Sequence, residues 1–219
     1  MPSRLRVAAL SLLSLLAVAS GLSAQADASA LTARAVAAMG VEDFDAAVKA
    51  ADSAQALAPE VSAVQLVVGQ AYLSHARAQP GLGAIGKVKK GRAAVERAIA
   101  LDPDNLDARS TLMQFLLQAP GIVGGSKDGA REQAVEIERR DRERGLLARL
   151  DVATAGGKKN EIVGVYDDAL PLLGAPGDTS AVLTEAFLGA AKKLKNKDLR
   201  EALTARVYAA APDAAALTP

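Results

Sequence analysis

Cysteine is missing altogether from this 219-residue chain, tryptophan is missing too, and histidine occurs once. No disulfide framework holds the chain together, and neither thiolate metal sites nor thiol redox chemistry is open to it. A chain without cysteine also suits an oxidising compartment, where stray thiols are a hazard. Aromatic side chains are scarce, three Phe and three Tyr. No excess of one charge exists either, with 26 basic against 25 acidic residues. Half the residues are nonetheless apolar and 49 are alanine, which excludes generic disorder and leans the chain toward helix. The length fits one domain or two.

The N-terminus carries Arg4 and Arg6, then an uncharged apolar run from Val7 to Ala19, then Ser20, Gly21, Ser23 and the A-x-A triplet Ala24-Gln25-Ala26. A basic start, a short apolar stretch and small residues at its end predict a secretory signal peptide over 1–26, cut after Ala26 or, as a second choice, Ala24. The competing reading is a retained anchor, since Leu5 to Ala24 spans roughly 20 residues, enough for a bilayer. Lipidation needs a cysteine at the cut and is excluded. No second run of spanning length follows. Removing Arg4 and Arg6 from the 26 basic residues leaves 24 against 25 acidic ones, a net of −1, so nothing in the global charge points to nucleic acid. The expected organisation is a leader over 1–26, a helical domain over 27–212 and a tail over 213–219, periplasmic or secreted.

Small residues recur at helical spacing. Ala47, Ala51 and Ala54 precede Pro59, and Ala94 and Ala98 precede Pro103. Ala130, Ala134 and Ile137 repeat the spacing, and Tyr166 and Ala169 do so weakly. Three- and four-residue steps place such residues on one narrow helix face, which lets a neighbour approach closely, and a following proline stops the helix. Ser62 to Tyr72 forms another helix, with Gly69 and Tyr72 three apart. These residues resemble the tetratricopeptide repeat (TPR), a unit with Gly and Tyr on its first helix and Ala and a terminal Pro on its second. Gly69, Tyr72, Ala98 and Pro103 match those positions, as do Ala47, Ala54 and Pro59 in the preceding unit, with Phe44 at the turn. The third unit begins with a helix from Leu106 to Leu117 and has Arg142 in place of the terminal proline. The fourth, Gly145 to Gly174, is degenerate. A fifth pair spans Thr179 to Leu194 and Leu199 to Ala211. The expected fold is therefore all-α, a TPR-like α-solenoid of about four to five antiparallel helix pairs, degenerate toward the C-terminus.

Two stretches exceed the family's period: 79–92, containing QPGLGAIGKVKKGR, and 119–128, containing APGIVGGSKD. The second is similar to a loop of exported bacterial TPR proteins, a likeness that implies no activity. Read as adjacent loops, the two predict an anion or small-ligand site made of backbone N–H groups with Lys87, Lys89, Lys90, Arg92, Ser126 and Lys127. The alternative is that glycine and proline merely let the loops pack. Gly81 to Lys87 has the G-x-x-x-x-G-K spacing of a phosphate-binding loop. Val88 stands where that loop needs Ser or Thr, and a helix precedes it rather than a strand, so nucleotide hydrolysis is not expected.

No catalytic or metal-binding residue and no cofactor are expected. His75 is read as a surface or half-buried side chain without an acidic cluster around it, and no nucleophile stands near it in sequence. Glu42-Asp43 and Asp167-Asp168 read as solvated helix starts or faces, and ERRDRER over 138–144 as an exposed, salt-bridged helix end. The TPR resemblance implies a groove lined by first helices: Leu66, Gln70, Leu73 and Ser74, then Ser110, Gln114, Leu117 and Gln118, then Arg149. The Lys and Asn of the family's carboxylate clamp are not at these positions. A protein or peptide is the expected partner in such a mixed groove, with no nucleic acid and no membrane span after cleavage. The favoured function is a non-enzymatic scaffold.

Overall fold

The computed structural model describes residues 23–173 and 178–213, which are helical throughout apart from short connections; no strand occurs among them. Residues 1–22 of the expected leader lie outside the described residues, while 23–26 continue directly into the first helix, α1, helical over 23–40. The chain divides into two compact units, one ending at Ala108 and the other beginning at Arg109. Within each, helices pack on their neighbours in sequence, the nearest-neighbour packing of a helical repeat.

In the first unit α1 is followed by α2 (Phe44–Leu57), α3 (Ser62–Ala78) and α4 (Leu82–Leu101), and the start of α5 (Leu106–Gln118) closes it. The alanine stripe explains the packing. Ala47 and Ala51 are fully buried against Ala35 of α1 and Val68 and Ala71 of α3, and Ala54 packs on Ala28 and Val64. With no bulk on these faces the helix axes come close. The approach is closest where Gly69 of α3 meets Gly91 of α4: a Cβ on Gly69 would lie 2.4 Å from Val95 Cγ2 and 3.0 Å from the Gly91 carbonyl oxygen. Ser62 ties α3 to the end of α4 by donating to the Ala98 carbonyl (2.8 Å), and Asn105 caps α5 by accepting from the Ala108 amide while donating to Ser62.

The α1–α2 turn carries a local conflict. Glu42 sits at φ +60°, in the left-handed region, while its amide donates to Met39 and that of Asp43 to Ala38. That is the paired bonding of a Schellman cap, a position that favours glycine. Glu42→Gly is expected to stabilise the first unit by about 0.5–1 kcal/mol, because it removes the steric cost of a Cβ there. Urea unfolding checks this; a lowered midpoint would contradict a strained cap.

The second unit contains the rest of α5, a 3-10 turn over Gly121–Val123, α6 (Lys127–Arg140), α7 (Arg142–Gly156), α8 (Lys159–Leu173), α9 (Asp178–Lys192) and α10 (Lys197–Ala210). The 138–144 run is not a single helix end. Asp141 is at once the C-cap of α6 and the N-cap of α7, its carboxylate accepting from the Glu143 and Arg144 amides, and Arg142 opens α7. Alternating charge suits both sides of that joint, with Arg140 paired to Glu136 and Arg142 to Glu138. The core gathers the scarce large side chains: Leu146, Tyr166, Leu173, Leu183, Phe187 and Leu203 are all at most 1% exposed. The Tyr166 and Phe187 rings meet edge-on, centroids 4.8 Å apart, and the phenol donates to the Phe187 carbonyl oxygen at 2.7 Å.

Candidate functional site

A cleft of about 1110 Å³ opens in the second unit, walled by α7 and α9 and closed at one end by the starts of α8 and α10. Helical periodicity builds both walls. On α9, Val182, Ala186 and Gly189 follow a four-three spacing and form one stripe, continued by Lys193 just past the helix end; on α7, Leu147, Leu150, Asp151 and Thr154 stand at i, i+3, i+4 and i+7 and form another. Val182 is 59% exposed, an apolar side chain facing water. Gly189 has no atom within 4 Å of where a Cβ would stand, so space lies above it.

The polar groups are placed unevenly. Asp151 stands at the middle of the α7 wall, where Gln114 of α5 donates to its carboxylate at 2.8 Å. Burial raises the Asp151 pKa above the usual carboxylate range, against the lowering effects of Gln114 and Lys193. Lys159, Lys193 and Lys195 occupy the end where α8 begins and α9 gives way to α10. Glu185 adds a second carboxyl on the α9 wall. One cleft thus offers an apolar floor, two carboxyls and a basic end, a combination that orients a bound chain segment.

The expected groove residues divide. Gln114 does reach the cleft through Asp151, and Gln118 extends that contact by donating to the Gln114 oxygen at 3.1 Å. Ser110 and Leu117 are half-buried on the same helix. Arg149 is not on this wall. Two positions from Asp151 on α7, it points the other way and pairs with Glu138 of α6 (3.0 Å) and Asp168 of α8 (2.6 Å). In the first unit Leu66 and Leu73 are no lining either. Leu66 is buried with Ala98 and Ala108, and Leu73 lies over Gly91, so both face α4. Gln70 and Ser74 are half-buried beside them.

The expected 79–92 loop is a helix from Leu82 onward, and three of its four cations, Lys87, Lys90 and Arg92, are tied to side chains of their own chain. Lys87 meets His75 Nδ1 at 2.6 Å, while His75 Nε2 lies 2.7 Å from Asp45. The same ammonium lies 3.2 Å from Nε2 as well, so the lysine and the carboxylate hold the ring between them. His75 is 3% exposed, neither a surface nor a half-buried residue, and the acid beside it arrives from α2, thirty positions away in sequence. One turn along, Lys90 donates to Asp52 (3.0 Å) and to the Tyr72 hydroxyl (2.7 Å), with its ammonium 4.3 Å from the Tyr72 ring centre. Burial lifts the Tyr72 phenol above its ordinary range, and the bonds to Tyr72 and Asp52 outweigh burial in raising Lys90. Arg92 pairs with Glu96 on its own helix. Lys89 is exposed, with no hydrogen bond or ion pair among the described residues. In the second unit, Ser126 caps α6 by accepting from the Gly129 amide, and Lys127 reaches the Ala155 carbonyl oxygen at 3.4 Å. The two acidic pairs are likewise engaged at Asp43, which caps α2, at Asp167, paired with Arg206, and at Asp168.

Sequence reasoning missed Asp151 and the α9 wall. The α9 stripe carried the available signal, an apolar and small-residue face with Lys193 just beyond its end. Among the described residues no three His, Asp or Glu side chains stand together as a metal site. No protein-family model matches the chain, and no curated protein matches it to a significant degree.

Proposed function

We propose that this chain is a non-enzymatic, exported scaffold of TPR type that holds a protein or peptide segment in the cleft between α7 and α9. The observation that carries the reading is the cleft itself: an apolar floor with Val182 exposed, room over Gly189, carboxyls at Asp151 and Glu185, and lysines gathered at one end. Such a surface matches the alternating apolar and polar side chains of a peptide laid along a groove. The repeat spacing supports the TPR assignment, and the basic, apolar, A-x-A start supports export. The non-enzymatic part rests on His75, whose ring nitrogens are taken by Asp45 and Lys87, with no hydroxyl nucleophile in that contact. The anion-site alternative loses support because Lys87, Lys90 and Arg92 are held by their own chain's side chains. Lysine-directed crosslinking of the tagged protein in its native compartment tests the proposal. Partner crosslinks concentrated at Lys159, Lys193 and Lys195 are expected, and an even spread over exposed lysines would overturn it.

A further inference from the structure

The joint between α6 and α7 and the joint between α9 and α10 are both dense in charge, and the chain treats them in opposite ways. At the first, Arg140, Arg142 and Arg144 are paired with the neighbouring acids Glu136, Glu138 and Asp141. The second reads Lys192-Lys193-Leu194-Lys195-Asn196-Lys197, with no acid between Glu185 and Asp198. Lys193 and Lys195 are exposed, and their ammonium groups have no hydrogen bond or ion pair among the described residues. Lys159, at the same end of the cleft, is equally exposed and unpaired among them, while its neighbour Lys158 is tied to Glu161 at 3.1 Å.

Solvent satisfies an isolated surface lysine, so placement is what matters here. α8 begins where α7 ends and α10 where α9 ends, and both starts line the cleft. The two walls therefore run the same way, and the three lysines share their C-terminal end. The carboxyls lie farther in. Glu185 precedes Lys193 by roughly two turns of helix, about 12 Å. Asp151 stands more than a turn before the end of α7, and Lys193 reaches it only as a longer-range attraction. Small residues separate the two zones on α9, with Ala186, Gly189 and Ala190 half-buried and open space above Gly189.

Given the cleft as the binding site proposed above, we infer that the segment it holds is polarised in charge: acidic side chains beside Lys159, Lys193 and Lys195, aliphatic ones over Gly189, and no acid beside Asp151 and Glu185. Carboxylates of the partner neutralise ammonium groups that the chain itself leaves unpaired. The same segment laid in reverse would set its acids against Asp151 and Glu185, and like charges brought together reject the wrong orientation. Nucleic acid fits poorly for the same reason, since its evenly spaced phosphates would run past both carboxyls. Several flexible ammonium groups suit a stretch of carboxylates better than one fixed carboxylate. The amide among the lining residues, Asn196, is already engaged, its oxygen accepting from the Leu199 amide as the cap of α10.

A library of short random segments, displayed between fixed glycine-serine flanks so that no free terminus is offered, is selected on the immobilised full chain and sequenced. Several-fold enrichment of Asp and Glu at one end only, next to aliphatic residues, is expected. The double variant Lys193→Glu, Lys195→Glu should lose that preference and select Lys and Arg there instead. Both lysines are exposed and unpaired, so the variant should fold, and circular dichroism checks that it does. Gly189→Trp separates the charge pattern from the cleft itself. Segments without an acidic end that are lost in Gly189→Trp would overturn the polarity and leave the cleft as the site. Segments retained by Gly189→Trp would overturn both, as would a parent chain that selects nothing. Acidic-ended segments selected equally well by the double variant would place recognition elsewhere and overturn the proposal. So would selection only from a parallel library with a free C-terminus, which would make a single terminal carboxylate the recognised feature.

Discussion

Gly145→Ala is expected to destabilise the second unit by about 2–3 kcal/mol, the cost of forcing a methyl group into a closed helix contact. A Cβ at this position would lie 2.2 Å from the Cα and 2.3 Å from the Cβ of Glu138, so backbone, not a flexible side-chain end, stands in the way. Relief by sliding α7 along α6 is blocked, because Asp141 alone joins the two helices and caps both. The intrinsic preference of a helix for alanine over glycine returns only about 0.5–1 kcal/mol. Gly164→Ala in α8 isolates that term: nothing lies within 4 Å of its Cβ position, and the substitution should stabilise by about that amount. Urea unfolding of the two variants beside the parent separates the effects. A Gly145→Ala variant as stable as Gly164→Ala would show that the α6–α7 contact is not closed.

Tyr166→Ala is expected to cost about 3–5 kcal/mol, since it empties the centre of the largest cluster in the second unit. The ring is fully buried, packs edge-on against Phe187 and anchors α8 to α9 through its hydroxyl. Tyr166→Phe keeps the ring and loses one hydrogen bond, about 1 kcal/mol. The phenol also sets a pH dependence, because burial pushes its pKa up to about 12. A folded-state pKa above the unfolded value of about 10 means that the folded chain holds the proton more tightly. Its contribution is therefore complete below pH 10 and is lost as pH rises from about 10 through 12. Tyr166→Phe should flatten that part of the alkaline unfolding curve, and an unchanged curve would place the loss elsewhere.

Local spacing carried most of the fold into the sequence. Ala47, Ala51 and Ala54 announce their helix because close packing needs small residues at three- and four-residue steps, and Pro59 and Pro103 announce the stops. The start of α4 misled for a physical reason. Gly81, Gly83 and Gly86 compose like a loop, yet only Gly81 has the positive φ of a turn, while the other two sit in helix where nothing presses on them. The candidate site was less legible. Leu66 and Leu73 belong to the right helix but face α4, because the Gly69–Gly91 contact fixes the rotation of α3. Arg149 and Asp151 differ by two positions, and only the packed structure shows which of them faces the cleft. His75 found its acid through a helix pairing that no local motif records.

The cleft between α7 and α9 is tested most directly by placing a photo-crosslinking side chain at Val182 and filling the cleft from the opposite side of the same stripe. Partner adducts should form at position 182, be absent from a probe at exposed Glu201 on α10, and disappear when Gly189→Trp occupies the space above α9. Adducts of equal yield at both positions, or adducts at 182 that persist in the Gly189→Trp chain, would contradict binding in the cleft.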